Sequence, residues 1–309
     1  MMITYLIYTL LSVLAVIFVF LFAVEKFSRQ VEKLAGDKFK LIIQKMTATP
    51  LRGTFVGTFV TAVMQSSTAV TVMAVSLVDS GVLPFANSLG VIFGANIGTT
   101  ITTSLIAFQL LELAPFILIF GFVLMKLETR WKPFGKAVFY FGLLFSTLFI
   151  ISVLVSPLKD NHLIISILQK TSNIYISVLV GFLLSTLIQS SAVVAGMVVI
   201  LSGSGFFGFD QAFAIVLGSN IGTTTTALIA GTVMGKNARR TAVAHFLFNV
   251  LGVILLLPFF DVFAQFILLF SDSVSVQVAL GHIIFNILSA VIALVFVKQF
   301  EKLIVFFVK

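Results

Sequence analysis

One stretch of this sequence occurs twice, and that duplication limits the fold more than any other feature. Gly57-Thr-Phe-Val-Thr-Ala-Val-Met-Gln65-Ser66-Ser67-Thr68 returns as Gly181-Phe-Leu-Leu-Ser-Thr-Leu-Ile-Gln189-Ser190-Ser191-Ala192, an offset of 124 residues (189 − 65). The same shift carries Gly81 to Gly205. It also carries Gly94, Asn96, Ile97, Gly98, Thr99 and Thr100 to Gly218, Asn220, Ile221, Gly222, Thr223 and Thr224. No gap is needed between the two motifs, so each half holds one structural unit. The repeat units span about residues 45–136 and 169–260.

What surrounds the repeat is apolar. Of the 309 residues, 60% are hydrophobic and 10% charged, and the mean hydropathy is +1.19. A soluble domain of this length needs more polar residues to cover its surface. Stretches near the ~20 residues that cross a bilayer recur along the chain: Ile3 to Val24, Ala137 to Val155, Ala242 to Phe260, and Val276 to Val297. The expectation is an all-α polytopic membrane protein, residues 1–309 forming one domain, with an N-terminal helix at 3–24 and a C-terminal helix at 275–297. Met1 to Leu21 has no positive charge ahead of its apolar core, so the first span reads as retained and not as a cleaved signal. The chain has no cysteine, which excludes disulfides, thiol catalysis and cysteine-held metals.

The net charge of +8 is a topology signal and does not indicate nucleic-acid binding, because the basic residues flank apolar spans. Lys26, Arg29, Lys33, Lys38, Lys40, Lys45 and Arg52 fill one loop, within which Asp37 to Met46 reads as an amphipathic helix lying on the bilayer. Lys126, Arg130, Lys132 and Lys136 fill another loop; Lys236, Arg239 and Arg240 a third; Lys298, Lys302 and Lys309 the tail. Only Lys159 and Lys170 stand between the halves. With the four clusters cytoplasmic, the N-terminus lies outside and the C-terminus inside, in the cell membrane. The segment before the first unit is strongly basic and its counterpart near 158–172 almost neutral. After the units the pattern reverses, from Gln109–Glu112 without a basic residue to Lys236, Arg239 and Arg240. Each unit then crosses an odd number of times, in opposite senses, as inverted repeats do.

Two full crossings per unit contradict that charge census. A re-entrant hairpin with its tip at Gln65-Ser66-Ser67, followed by one crossing helix interrupted at Gly94 to Thr100, satisfies it. The second unit reads likewise, with a tip at Gln189-Ser190-Ser191 and a break at Gly218 to Thr224. Broken backbone at membrane depth belongs where it lines a cavity. Each tip offers an amide, two hydroxyls and backbone N–H groups at a half-helix N-terminus, which carries roughly half a positive charge and holds phosphate-like anions. Asn96, Thr99, Thr100, Asn220, Thr223 and Thr224 offer hard oxygens that suit sodium and no transition metal. Sodium, as a coupling ion, is the only metal expected, and no organic cofactor.

A second duplicated signature pairs His245 with Asn249 and His282 with Asn286, each at i and i+4 on one helix face. These residues line a pathway, support the hairpins, or simply make core contacts. Small and hydroxyl residues in membrane helices are often packing glue, but a duplicated Gln-Ser-Ser beside a duplicated Gly-x-Asn-Ile-Gly-Thr-Thr at fixed spacing argues for a site. No motif places a base beside any serine, so a hydrolase is not indicated.

In these motifs the chain resembles the type II sodium-dependent phosphate cotransporter family, its bacterial members in particular, from about residue 45 to 300. The resemblance implies sodium-coupled transport of inorganic phosphate. It assigns phosphate binding to Gln65, Ser66, Ser67, Gln189, Ser190 and Ser191, and sodium binding to Thr68 and the threonines after each Asn-Ile-Gly. Family motifs often continue with a further serine, where this chain has Thr68 and Ala192. Many bacterial relatives also carry a PhoU-like helical domain beyond the membrane part, which this sequence does not include. Other readings stay open: transport of another oxyanion, proton coupling through His245 or His282, and a passive channel. A homo-oligomer is left open as well.

Overall fold

The computed structural model describes residues 2–107, 110–127, 131–158, 161, 165–166, 168 and 172–309, with backbone only at 2–7 and 110–111. Gln109, Arg130, Lys159 and Lys170, used above in the charge census, lie outside the described residues. Every regular element described is helical. Six of the helical segments are long and apolar enough to cross a membrane: Tyr8–Met46, Phe85–Ala107, Lys132–Leu158, Phe209–Thr232, Lys236–Leu268 and Val274–Val295. The chain is a multi-pass all-α membrane protein.

The first helix, α1, runs Met2–Met46 without interruption, which corrects the expected helix at 3–24 with a basic loop behind it. Residues 25–46 contain no proline and a single glycine, Gly36, and Glu25 pairs with Arg29 at 2.7 Å one turn on. The first true stop is Pro50, which opens α2 (Pro50–Met64) behind an N-cap at Thr49. At ~1.5 Å per residue α1 is roughly 68 Å long, more than twice the ~30 Å hydrocarbon thickness. Asp37 to Met46 is helical but not a separate surface helix. Phe27, Val31, Phe39 and Ile43 repeat at helical spacing, are buried, and join one core with Val60, Met64 and Ala137, leaving the lysines on the outer face.

The two repeat units fold alike. In the first, α2 and α3 (Ser67–Asp79) form a hairpin followed by α4 (Phe85–Ala107). After α5 (Ala114–Lys126) and α6 (Lys132–Val155), the second unit repeats the pattern as α7 (Ile174–Ile188), α8 (Ser191–Gly203), α9 (Phe209–Gly222) and α10 (Thr225–Thr232). Hairpin arms of 15 and 13 residues reach roughly 22 and 20 Å, too short to span.

The expected break at Gly94 to Thr100 is absent, since α4 passes straight through it. The glycines are packing surfaces. A Cβ on Gly94 would lie 2.0 Å from the Thr54 carbonyl oxygen, and one on Gly218 1.9 Å from that of Val178, so α2 lies flush on α4 and α7 on α9. In the second unit the chain does deviate, but only as one tightened turn. Thr223 and Thr224 keep right-handed helical torsions, and Thr224 N–H reaches back three residues to Ile221.

Three helices follow: α11 (Lys236–Leu256), α12 (Phe260–Leu268) and α13 (Val274–Val295). What reads as a tail is a further helix, α14 (Val297–Phe307). It buries Phe300 and Ile304 in the core of the first unit, with Phe300 5.9 Å from Phe93, while Lys298 and Lys302 face outward. A second core gathers on α6, α8, α9 and α13 around Phe213, which stacks on Phe209 and Phe263 at 5.2 Å each.

Candidate functional site

Both hairpins turn in the same three residues and in the same way. Gln65 and Gln189 adopt left-handed torsions, φ 54° and 60°, the only non-glycine residues with positive φ among those described. This conformation is uncommon for a side chain with a Cβ, and it swings the chain into Ser66 and Ser190, both extended, each the N-cap of the next helix. Ser66 Oγ accepts from Ala69 N–H at 3.2 Å and Ser190 Oγ from Val193 N–H at 3.4 Å. Capping uses oxygen lone pairs and leaves each O–H proton as a donor. Ser67 and Ser191 open the helices and are buried.

The two tips meet. Thr68 Oγ1, in the first turn of α3, stands 3.5 Å from the Gln189 carbonyl oxygen, across 121 residues of sequence. Neither tip carries a lysine or arginine.

The tips are not identical in side-chain arrangement. The Gln65 amide is tied back, its Nε2 donating to the Ala62 carbonyl at 2.5 Å and its Oε1 accepting from Thr102 Oγ1. Gln189 is exposed. Thr102 was not among the expected site residues, although it lies one turn after Thr99 on α4. Thr61 and Ser185 were also missed. They precede the glutamines by four residues, are fully buried, and hold hydroxyls without a hydrogen-bond partner among the described residues.

On α4, Asn96, Thr99 and Thr100 donate to their own helix, to Ile92, Ala95 and Ile97 carbonyls at 2.9, 3.0 and 2.7 Å. Thr224 does the same to Ile221 at 2.7 Å, while Thr223 Oγ1 has no partner among the described residues. A hydroxyl that donates inward keeps its oxygen as a ligand for a hard cation. Because α4 is continuous, it supplies no unwound carbonyls beside Asn96, Thr99 and Thr100.

His282 ties the units together. Its Nε2 lies 3.1 Å from Asn220 Oδ1 and its Nδ1 3.1 Å from Thr103 Oγ1, all buried. The amide oxygen only accepts, so Nε2 carries the proton and Nδ1 accepts from Thr103. Each His–Asn pair does share a helix face, but through the backbone: Asn286 Nδ2 donates to the His282 carbonyl at 2.8 Å and Asn249 to that of His245 at 3.0 Å. His245 differs from His282 in that neither ring nitrogen has a hydrogen-bond partner among the described residues, nor has Asn249 Oδ1.

Comparison with known proteins agrees with these motifs. Residues 19–153 and 156–299 match the family described as Na+/Pi-cotransporter. The chain is 32% identical over 273 residues to the uncharacterized protein YqeW of Bacillus subtilis, covering 87% of this chain and 89% of that one. It is 25% identical over 260 residues to the putative inorganic phosphate export protein YjbB of Escherichia coli K12, covering 83% of this chain but only 48% of YjbB. A segment of 124 residues is 35% identical to human sodium-dependent phosphate transport protein 2B, covering 35% of this chain and 18% of that protein. No solved structure matches. With paired Gln-Ser-Ser tips brought together and a family match across nearly its whole length, the chain belongs to the Na+/Pi-cotransporter family.

Proposed function

We propose that this protein carries inorganic phosphate across the cell membrane together with sodium, by alternating access around the two hairpin tips. The observation that supports it most is the approach of Thr68 to Gln189, which brings the two tips together; in this reading the two half-helix N-termini and the serine hydroxyls of both tips enclose one volume. Such a volume holds an oxyanion by dipoles and neutral donors. Sodium then offsets the phosphate charge through hydroxyl oxygens of Thr68, Thr99, Thr100, Thr223 and Thr224 and the side-chain oxygens of Asn96 and Asn220, so each ligand raises the affinity for the other. In this reading the two units cross the membrane in opposite senses, with the N-terminus outside and the C-terminus inside.

The test is uptake of labelled phosphate into proteoliposomes under an inward sodium gradient, against potassium or choline. Concentrative, sodium-dependent uptake is expected, reduced at least about tenfold by Ser66→Ala or Ser190→Ala, the loss of roughly one charge-assisted hydrogen bond. Intact uptake in both variants at normal expression overturns the site assignment. Arsenate and sulfate competition separates phosphate from other oxyanions. Loading phosphate and sodium on the inside tests export, the direction in the name of YjbB.

A further inference from the structure

A cavity of about 690 Å³ opens where α4, α6 and α8 end and α13 begins. Its polar lining comes from Ser152, Ser156, Ser204, Ser273, Ser275 and Glu112. None of these belongs to the motifs, and the cavity is large enough for hydrated ions. Behind it lies a pocket of only about 20 Å³ that touches Gln65 and Thr102. That is room for about one water and not for an ion with its hydration shell, so no hydrated ion passes it as it stands. One residue, Ile106, lines both spaces, and it is 3% exposed.

We propose that the larger cavity is the access vestibule of the transport site and that Ile106 is the gate at its floor. The proposal rests on the phosphate–sodium reading above and names the residue that closes one side of that site. An apolar constriction blocks ions by excluding the water they travel with. Ile106 fits the role because the opposing helix makes room for it: a Cβ on Gly196 of α8 would lie 2.8 Å from Ile106 Cδ1. The duplication supports a paired device. The offset of 124 relates Ile106 to Ala230 and Gly196 to Val72, and α10 packs on α3 as α4 packs on α8. Each pair of corresponding positions thus holds one small and one branched residue, with the bulk on opposite partners in the two halves. Ile106 must leave its seat for an ion to reach Gln65 from the vestibule.

The absence of native cysteine allows a direct test by single-cysteine labelling with a membrane-impermeant, charged thiol reagent. Ser204→Cys, in the vestibule, is expected to label rapidly whatever stands at position 106. Thr102→Cys, behind the gate, is expected to label slowly with Ile106 present and at least about tenfold faster with Ile106→Ala, as local opening exposes a protected site. Ile106→Val should fall between. Thr241→Cys, at a buried position on α11, staying protected in the Ile106→Ala background shows that the variant is folded. Thr102→Cys labelling as fast as Ser204→Cys with Ile106 intact, or staying protected in Ile106→Ala, overturns the gate. This readout does not depend on which ion is carried, so failure of the phosphate reading leaves it unchanged.

Discussion

His282 and His245 occupy duplicated positions yet sit in opposite circumstances. The His282 ring spans from α4 to α9 through Thr103 and Asn220, and both partners are buried at 0% and 3% exposure. Removing the ring strands two polar groups away from water, at about 1–3 kcal/mol each. His282→Phe is therefore expected to lower the denaturation midpoint clearly. His282→Gln, which keeps one donor and one acceptor, should recover part of the loss and retain transport. Thermal unfolding in detergent with uptake on the same samples checks this. If His282 carried the coupling proton instead, glutamine would fold normally and fail to transport. The sequence shows both His–Asn pairs but not this difference, because the second partner of His282 is a threonine whose counterpart in the other unit is Ala227.

At the scale of elements, the glycines of Gly-x-Asn-Ile-Gly were open to two readings. As a hinge, Gly94→Ala would stabilise α4, since alanine is favoured over glycine inside a helix by roughly 0.5–1 kcal/mol. As a contact surface it must destabilise, because the new methyl would meet the Thr54 carbonyl at 2.0 Å, and overpacking of this kind costs about 1–3 kcal/mol. The structure predicts the second sign, which the shift in unfolding midpoint of Gly94→Ala measures. The same ambiguity explains why the break was expected and not found: glycine spacing is visible along one helix, but the helix lying on it is not. For α1 the misleading signal was charge. Lysines every few residues read as a loop, whereas Phe27, Val31, Phe39 and Ile43 form the stripe that holds this half of the helix to the core. α14 was missed for the same reason, its lysines drawing attention away from Phe300 and Ile304.

For the whole molecule, the open matter is how the units stand in the membrane. In the orientation proposed from the distribution of lysine and arginine, Arg239 lies inside and Ser273 outside. A single cysteine at position 239 is expected to react with an impermeant thiol reagent only from the cytoplasmic side, and one at 273 only from the outer side. Reaction of both from one face would refute the inverted arrangement while leaving the all-helical fold intact. The vestibule serines Ser204 and Ser275 share the 273 side, so the same labelling also decides which face the Ile106 gate closes.

The sequence alone determined that this chain lives in a membrane, that it is built from two like units, and where each hairpin turns. Those features are local, residing in composition, in a fixed offset, and in a glutamine–serine–serine turn that takes the same torsions twice. Only the tertiary structure decided that the motif glycines seat a neighbouring helix, that Gln65 is held by Thr102 while Gln189 is exposed, that His282 joins the halves, and that Ile106 lines both the large cavity and the small pocket beside Gln65. Each of these depends on which residues from distant segments face one another, and side-chain packing and hydrogen-bond pairing between helices settle that only once both units have folded.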